Sequence, residues 1–320
     1  MWLALTALAF SLAASGQDAA AGAVAAQDPA TRVDDVVVQG RRLEDLVSDF
    51  VTETSAPARG RGLARWQGRI CVGVVNIQPD LAQHIADRVS QVAMDLGVTP
   101  GDPGCRADVV IVFTDDGRGL ATKLADEHQR AFRSGVGGLD RGRVAFADFA
   151  ESDRPVRWWH VSMPVNAETG QRAIRLPGDV DAQGNPVAPV IGVFAASRLT
   201  SQIRDDMRKA MVIVDIDDIG QVNLPQLADY IAFVSLAQVD PTADFSAYDT
   251  ILNLFDDGAA APAGLTQWDI SYLTTLYRVL DSPQAPSNAN RAVGRITDAM
   301  TRERQDASRR GDPPPADSDR

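Results

Sequence analysis

The strongest constraint on the fold is a strand–helix–strand pattern between residues 69 and 113. A strand-forming run over residues 69–77 is followed by Pro79, which favours the start of a helix. Apolar residues then recur at spacings of four and three, as expected for a helix that packs on a sheet: Leu81, Ile85, Val89, Val92 and Leu96. The apolar run Val109–Phe113 predicts a second, buried strand. Because such units are right-handed, we expect the two strands to be parallel.

The two cysteines of the chain lie on this unit, Cys71 at the start of the first strand and Cys105 just before the second. In a parallel unit both sulfurs are at the same end of the sheet, so we predict that they form a disulfide. A bridge across a loop of this length stabilises a fold by about 3–4 kcal/mol in the chain-entropy model. Two free thiols and a metal site are the alternatives, and an exported protein favours the disulfide over both.

The N-terminus predicts export. Residues 2–14 are an apolar run followed by small residues, which is typical of a signal peptide and shorter than a membrane span of roughly 20 residues. We predict a signal peptide over residues 1–25, with cleavage after Gly16 or Ala25, and a periplasmic or secreted protein. The alternative is a buried N-terminal helix, because the basic residues that usually begin a signal peptide are missing.

The charge balance excludes two classes of partner. The chain of 320 residues has a formal net charge of -12, whereas binding to nucleic acid or to anionic lipid requires a basic surface. Hydrophobic residues make up 45% of the chain, which is enough for a large core. We therefore expect a globular protein with no nucleic-acid partner and no transmembrane segment.

Four segments follow from the distribution of apolar residues. After the signal peptide we predict a flexible arm over residues 26–62, an α+β domain over residues 63–282, and a C-terminal helix with a disordered tail over residues 283–320. Inside the domain, Met211–Asp215 predicts a strand and Leu224–Gln238 a strongly apolar, buried helix.

The three histidines of the chain show no metal-ligand spacing, and no nucleophile-elbow, phosphate-loop or Cys–His motif is present. His160 follows Trp158 and Trp159, so these three residues are candidates for lining a pocket; a histidine on a strand edge is the alternative. Acidic residues cluster where two predicted strands end, at Asp115–Asp116 and at Asp215–Asp218. Ca²⁺ prefers clustered oxygens, but the spacing fits no dedicated loop, and solvated turns are the alternative.

The last third of the domain carries a family resemblance. A strand and an apolar helix are followed by residues 246–255 and then by residues 265–277 (LTQWDISYLTTLY), which fit the pattern L-[ST]-x-x-D-[IL]-x-x-[IL]-x-x-L-Y. This order resembles the zincin metallopeptidases, particularly matrixin-like ones and related uncharacterised exported proteobacterial families, over residues 66–280. The resemblance implies a zincin-like α+β fold, in which helices pack on a twisted mixed sheet.

The metal-binding helix of that family reads H-E-x-x-H-x-x-G-x-x-H/D, because two histidines one turn apart share a face and the glutamate is the general base. When the family's glycine is aligned with Ala237, the first three functional positions fall on Tyr230, Ile231 and Val234. Only Asp240 falls on a position that can hold a metal, whereas zinc requires three protein ligands. The resemblance therefore implies a pseudoenzyme without a cofactor, whose cleft is either kept for binding or filled by apolar side chains.

A short segment of the arm suggests how such a protein binds a partner. Residues 33–42 (VDDVVVQGRR) resemble the TonB box of TonB-dependent outer-membrane receptors, which reads close to D-x-V-V-V-x-G-x-R. The resemblance implies β-augmentation, in which Val36, Val37 and Val38 pair with a sheet edge of a periplasmic or envelope protein and Gly40 ends the strand. An incidental strand, or an edge strand of the domain, is the alternative.

Together these features predict a non-catalytic periplasmic or secreted binding or interaction protein. The alternative is an exported hydrolase with an unrecognised active site, whose ligands come from elsewhere in the chain, such as His160 with distant acidic residues.

Overall fold

A mostly parallel β-sheet lies between two groups of helices. The computed structural model of the protein describes residues 37–38, 41–132, 140–174, 182–184, 201–256, 261–282, 284–286 and 288–310. In chain order the elements are β1 (Val37–Val38), β2 (Arg41–Arg42), α1 (Leu43–Thr54), β3 (Ala64–Arg65), β4 (Arg69–Ile70), β5 (Val72–Val75), α2 (Pro79–Asp95), β6 (Thr99–Pro100), β7 (Val109–Thr114), α3 (Gly117–Glu127), α4 (Gln129–Phe132), α5 (Arg143–Glu151), β8 (Val156–Asn166), β9 (Ile203–Asp215), α6 (Leu224–Leu236), a 3-10 helix (Ile251–Phe255), α7 (Gln267–Asp281) and α8 (Ala289–Arg310).

Strands β5, β7 and β9 form the parallel centre of the five-stranded sheet in the described part of the chain. The register places Val74 of β5 opposite Ile111 of β7, and Ile111 opposite Val212 of β9. The short strand β3 pairs in parallel with the first half of β9. On the other side of β9, β8 is antiparallel and pairs along nearly its whole length. The parallel pairing predicted for the strand–helix–strand unit is confirmed, and the sheet is mixed as predicted.

Each face of the sheet has its own core, because successive residues of a strand point to opposite faces. On one face, alternate residues of β7, such as Ile111, pack in a cluster with buried residues of α1, α2, α6, α7 and α8. On the other face, Trp159 of β8 packs with buried residues of α3, α4 and α5. The amphipathic helix predicted to face the sheet is α2, whose residues Ile85 and Val89 are fully buried.

The predicted disulfide between Cys71 and Cys105 is confirmed, and the Cα atoms of the two residues are 6.0 Å apart. Cys71 lies between β4 and β5, and Cys105 lies in the loop between β6 and β7. The loop is tightly packed here, since a Cβ atom on Gly101 would be 2.6 Å from the sulfur of Cys105. The bridge therefore fastens the start of the first parallel strand to the loop that precedes the second.

The flexible arm predicted for residues 26–62 is wrong for residues 43–62. The chain forms α1 there, and four of its apolar side chains are at most 2% exposed: Leu46, Val47, Phe50 and Val51. The Phe50 ring makes edge contacts with the rings of Tyr248, Trp268 and Tyr272 at centroid distances of 5.0, 5.3 and 5.7 Å. The apolar residues of α1 recur at spacings of three and four, so the segment is an amphipathic helix. The folded domain therefore begins before residue 63.

The folded domain also extends beyond residue 282. The predicted C-terminal helix is α8, and its residues Ala292, Ile296 and Met300, one turn apart, are fully buried in the large core. Arg304 lies over the ring of Trp268, with 3.9 Å between the guanidinium carbon and the ring centroid. The predicted signal peptide, residues 26–36 and the predicted tail after residue 310 lie outside the described residues.

Candidate functional site

Helix α6 carries the positions that would hold a metal in the family the sequence resembles. Its start is fixed by a capping box, in which the Asn223 side chain accepts from the backbone N–H of Gln226 at 3.0 Å. The backbone N–H of Asn223 donates in return to the Gln226 side chain at 3.2 Å. Every residue from Leu227 to Leu236 is buried, which confirms the buried helix predicted for this segment. No helix in the described ranges combines the length and the apolarity that a membrane crossing needs.

The three degenerate metal-helix positions are part of the core. Tyr230 is 6% exposed, and Ile231 and Val234 are 0% exposed. The ring of Tyr230 packs edge-on against Trp158 of β8 and Phe255 of the 3-10 helix, with centroid distances of 6.0 and 5.0 Å. Burial raises the pKa of the Tyr230 phenol, so this side chain stays neutral. The three positions of α6 that align with the metal helix are therefore packed among aromatic and aliphatic side chains.

Asp240, the fourth position, is engaged in a surface turn. One carboxylate oxygen accepts from Arg141 at 2.7 Å, and the other accepts from the backbone N–H and the hydroxyl of Thr242 at 3.0 and 2.7 Å. These hydrogen bonds lower the pKa of Asp240 although burial opposes the shift. Asp240 therefore shapes the turn after α6, and no group of three potential metal ligands occurs among the described residues.

The pocket candidates Trp158, Trp159 and His160 do not lie together. Trp158 and His160 face α6, whereas Trp159 points to the other face of the sheet and belongs to the smaller core. Each indole N–H donates a hydrogen bond to a backbone carbonyl. Trp158 donates to Val239 at 3.0 Å, and Trp159 donates to Phe132 at 2.8 Å. These residues therefore join the sheet to its flanking segments on both faces.

His160 is a neutral structural histidine. Its Nε2 lies 2.7 Å from the carbonyl oxygen of Val234 in α6. Because a carbonyl oxygen can only accept a hydrogen bond, Nε2 is the nitrogen that carries the proton. Burial lowers the pKa of His160 to about 4, and the charge of Arg141 also lowers it. The imidazole thus links strand β8 to α6 and carries no charge near neutral pH.

The low pKa of His160 predicts a loss of stability in acid. In the unfolded chain this histidine titrates near 6.5, so below that pH the unfolded state binds a proton that the folded state excludes. The free energy of unfolding should fall by on the order of 2–3 kcal/mol between pH 7 and pH 4 relative to a His160→Gln variant, whose amide can still donate to Val234. Urea unfolding across this pH range measures the difference.

The comparison with His160→Gln is necessary because Asp269 titrates with the opposite sign. Burial raises the pKa of Asp269 to about 6, so its contribution to stability is present below pH 4 and is lost as the pH rises through 6. Asp269 is common to both proteins and cancels in the difference. Parallel stability curves for the wild type and the variant would show that His160 is free to take up a proton.

The acidic clusters at the strand ends are used as caps. One oxygen of Asp215 accepts from the backbone N–H of Gly117 at 2.7 Å, and the other accepts from that of Asp217 at 3.2 Å. The side chain of Asp116 caps α3 by accepting from Gly119 at 2.8 Å. These carboxylates therefore satisfy backbone donors at the start of α3 and in the turn after β9.

Arg157, the second residue of β8, is a buried charged residue that is not among the candidates predicted from the sequence. Its side chain is 1% exposed, and among the described residues Nε and Nη1 have no hydrogen-bond partner. The signal was present in the sequence as an arginine inside the apolar run that contains Trp158 and Trp159. Periodicity cannot show whether such a residue is paired, because its neighbours in space are distant in sequence.

The proposed docking segment forms a small sheet of its own. Val37 pairs with Arg42 and Val38 with Arg41 in an antiparallel two-stranded sheet, separate from the five-stranded sheet. β2 leads directly into the buried helix α1. Val36 and Gly40, the other two residues predicted to take part in docking, lie outside the described residues.

No protein-family model, no curated protein and no solved structure matches this chain.

The residues that carry the most specific part of the resemblance form the start of α7, which follows its N-cap Thr266. Thr266 caps it by accepting from Trp268 and Asp269. Buried Asp269 also accepts from the hydroxyl of Thr250 at 2.5 Å and from the backbone of Ile251 at 2.8 Å. The motif residues thus fasten the 3-10 helix to α7.

Proposed function

We propose that this chain is a non-catalytic, exported interaction protein on a degenerate zincin-like scaffold. The observation that carries the proposal is the packing of Tyr230 between Trp158 and Phe255, because a catalytic cleft at this helix would need open space for a metal and water. The order of β9, α6, the 3-10 helix and α7 supports the zincin-like scaffold.

The disulfide supports export. Disulfides persist in oxidising compartments such as the bacterial periplasm and are rare in the cytosol. The bond between Cys71 and Cys105 joins the start of the first strand of the strand–helix–strand unit to the loop before the second strand. It therefore stabilises this part of the fold. Periplasmic or secreted location is the setting in which the proposed interaction takes place.

The interaction itself is assigned to the N-terminal strand. Val37 and Val38 pair with β2 on one side, and among the described residues no strand pairs with their other side, so this edge can take a strand of a periplasmic or envelope partner. The partner implied by the TonB-box resemblance is a TonB-type envelope protein with an exposed sheet edge. Ordering a free segment of ten residues costs on the order of 10 kcal/mol of backbone entropy. Attachment of β2 to the buried helix α1 lowers that cost, because part of the segment is already ordered.

A proline substitution tests the docking strand. Val37→Pro removes a backbone donor and should weaken binding to the periplasmic domain of the TonB-type partner by about tenfold or more. The melting temperature should stay within about 2 °C of the wild type, because the five-stranded sheet does not include Val37. Calorimetric titration gives the affinity, and thermal unfolding gives the stability.

Val37→Thr is the matched control, since threonine keeps the backbone N–H and the preference for extended structure. Binding by this variant should remain near that of the wild type. Equal binding by the proline variant, or absence of binding by the wild type, would remove the N-terminal strand from the proposal. A marked fall in melting temperature for Val37→Pro would show that the segment belongs to the fold.

A further inference from the structure

Helix α8 packs against α1 and α7 at the C-terminal end of the domain. Its buried apolar side chains are those of Ala292, Ile296 and Met300. From residue 302 to residue 310 the helix is half-buried or exposed. By contrast, α6 buries every residue from Leu227 to Leu236. The apolar attachment of α8 to the domain is therefore short.

The contact between α7 and α8 is polar. Ser271, Thr275 and Arg278 recur on α7 at spacings of four and three, so they lie on one face of the helix. This face meets α8, because the Thr275 hydroxyl and the Arg278 guanidinium lie 3.5 and 3.4 Å from a carboxylate oxygen of Glu303. The side chains of Arg278 and Glu303 are 58% and 40% exposed. An exposed ion pair of this kind contributes little stability.

Hydroxyl groups are buried without partners in both helices. Thr297 and Thr301, one turn apart on α8, are both 7% exposed, and Ser271 of α7 is 6% exposed. Among the described residues, none of these three hydroxyl groups has a hydrogen-bond partner. A hydroxyl that is buried without a partner loses its hydrogen bonds to water, and this loss opposes docking of the helix. Separation of α8 would return these groups to water.

Arg304 adds a second contact of mixed effect. Its guanidinium carbon lies 3.9 Å from the ring centroid of Trp268, which is an attractive arrangement. Within the described part of the chain, however, Nε and Nη2 of Arg304 have no acceptor. Burial lowers the pKa of Arg304 to about 10, although the charges of Asp249 and Glu303 oppose the shift. The attraction to the ring is therefore offset by the desolvation of the guanidinium.

The link between α7 and α8 allows the two helices to separate. Residues 282–288 contain Pro283 and Pro286, and proline cannot continue a helix because it lacks a backbone N–H. The link is held by Arg295, which donates to the carbonyl of Gln284 at 2.7 Å, and by Ser201, which donates to that of Ala285. No strand belongs to this link or to α8, so movement of α8 breaks no strand pairing in the described sheets.

We propose that α8 is a detachable cover, which opens as a unit about residues 282–288 while the sheet and helices α1–α7 stay folded. The open state uncovers the surfaces of α1 and α7 on which α8 packs, and α8 thereby controls access to Trp268. Segments with few buried apolar contacts open at the lowest free energy in a fold, and lids and other moving elements belong to this class.

Hydrogen exchange tests the opening. The full mature protein is followed by mass spectrometry at several urea concentrations below its unfolding transition. The backbone amides between Ile296 and Thr301 should exchange at least about a hundredfold faster than those of α6, with little dependence on urea, because a local opening exposes little surface. Equal protection and equal urea dependence in α6 and α8 would show that α8 separates only in global unfolding, and would overturn the proposal.

Tyr230→Ala separates local opening from global unfolding. The substitution destabilises the core at α6, so exchange in α6 should become about thirtyfold faster or more. Exchange in α8 should stay within about twofold of the wild type, because the opening of α8 leaves the surroundings of Tyr230 folded. A parallel increase in α6 and α8 would contradict the proposal.

A double substitution tests the unpaired hydroxyl groups. Thr297→Val with Thr301→Val removes both hydroxyls and nearly keeps the shape of the side chains, so exchange in α8 should become about tenfold slower. Thr122→Val is the matched control, because the Thr122 hydroxyl of α3 donates to Ala150 at 3.1 Å and the loss of this bond should leave α8 unchanged. Unchanged or faster exchange of α8 in the double variant would contradict the proposed cause of the opening.

Discussion

Replacing Tyr230 with alanine should lower the free energy of unfolding by about 2–4 kcal/mol. The ring is enclosed by Trp158 and Phe255, so its removal leaves a cavity in the large core that these neighbours cannot fill without moving. The aromatic contacts themselves contribute beyond the buried area. Urea unfolding of the purified variant measures the change.

Tyr230→Phe is the control for this prediction. It keeps the ring and its contacts with Trp158 and Phe255, so its stability should stay within about 1 kcal/mol of the wild type. An alanine variant as stable as the wild type would contradict the account of α6 as core. If that variant also lost an activity, Tyr230 would be a functional residue and the pseudoenzyme proposal would be wrong.

Removing the disulfide should have a similarly large effect. The paired substitution Cys71→Ser with Cys105→Ser should lower the free energy of unfolding by about 3–4 kcal/mol, because the unfolded chain regains the entropy of an open loop. Wild-type protein unfolded in urea with a reducing agent should give the same stability as the double variant. Mass spectrometry of unreduced exported protein that finds two free thiols would show that the bond does not form.

Local patterns were sufficient to predict the strand–helix–strand unit. The spacing from Leu81 to Leu96 predicted α2 and its buried face, and the apolar run Val109–Phe113 predicted β7. The geometry of such units predicted that the two strands are parallel. It also predicted that the sulfur atoms of Cys71 and Cys105 lie at the same end of the sheet. The buried helix α6 could also be predicted from a local pattern, because its apolar run is longer than the runs typical of buried strands.

The N-terminal boundary of the fold was missed because composition outweighed periodicity. Residues near α1 are rich in Ala, Gln, Asp and Gly, which is typical of a flexible segment. Within it, Leu46, Val47, Phe50 and Val51 follow the helical repeat, and only the contacts of Phe50 with distant aromatic rings show that the segment belongs to the core. Such contacts are not visible in the sequence.

The pocket candidates Trp158, Trp159 and His160 were chosen because they are adjacent in the sequence. Adjacency in the sequence does not show which side chains of a strand lie together in space. Trp158 and Trp159 are adjacent in the chain but face opposite cores, as the alternation of side chains in a strand requires. The environment of Arg157 could not be predicted at all, because Gly117 and Asp215 approach it from other elements. Sites that depend on such distant neighbours need the folded structure.

The metal content of the purified protein distinguishes a pseudoenzyme from a zinc-dependent hydrolase. Mass spectrometry of protein prepared from periplasmic extract without chelators should find well below one equivalent of zinc per chain. Treatment with a chelator should leave the melting temperature unchanged, because Tyr230, Ile231 and Val234, the residues aligned with the metal helix by the resemblance, are buried in the core. One equivalent of zinc that is lost on chelation together with stability would contradict the account and favour an exported hydrolase.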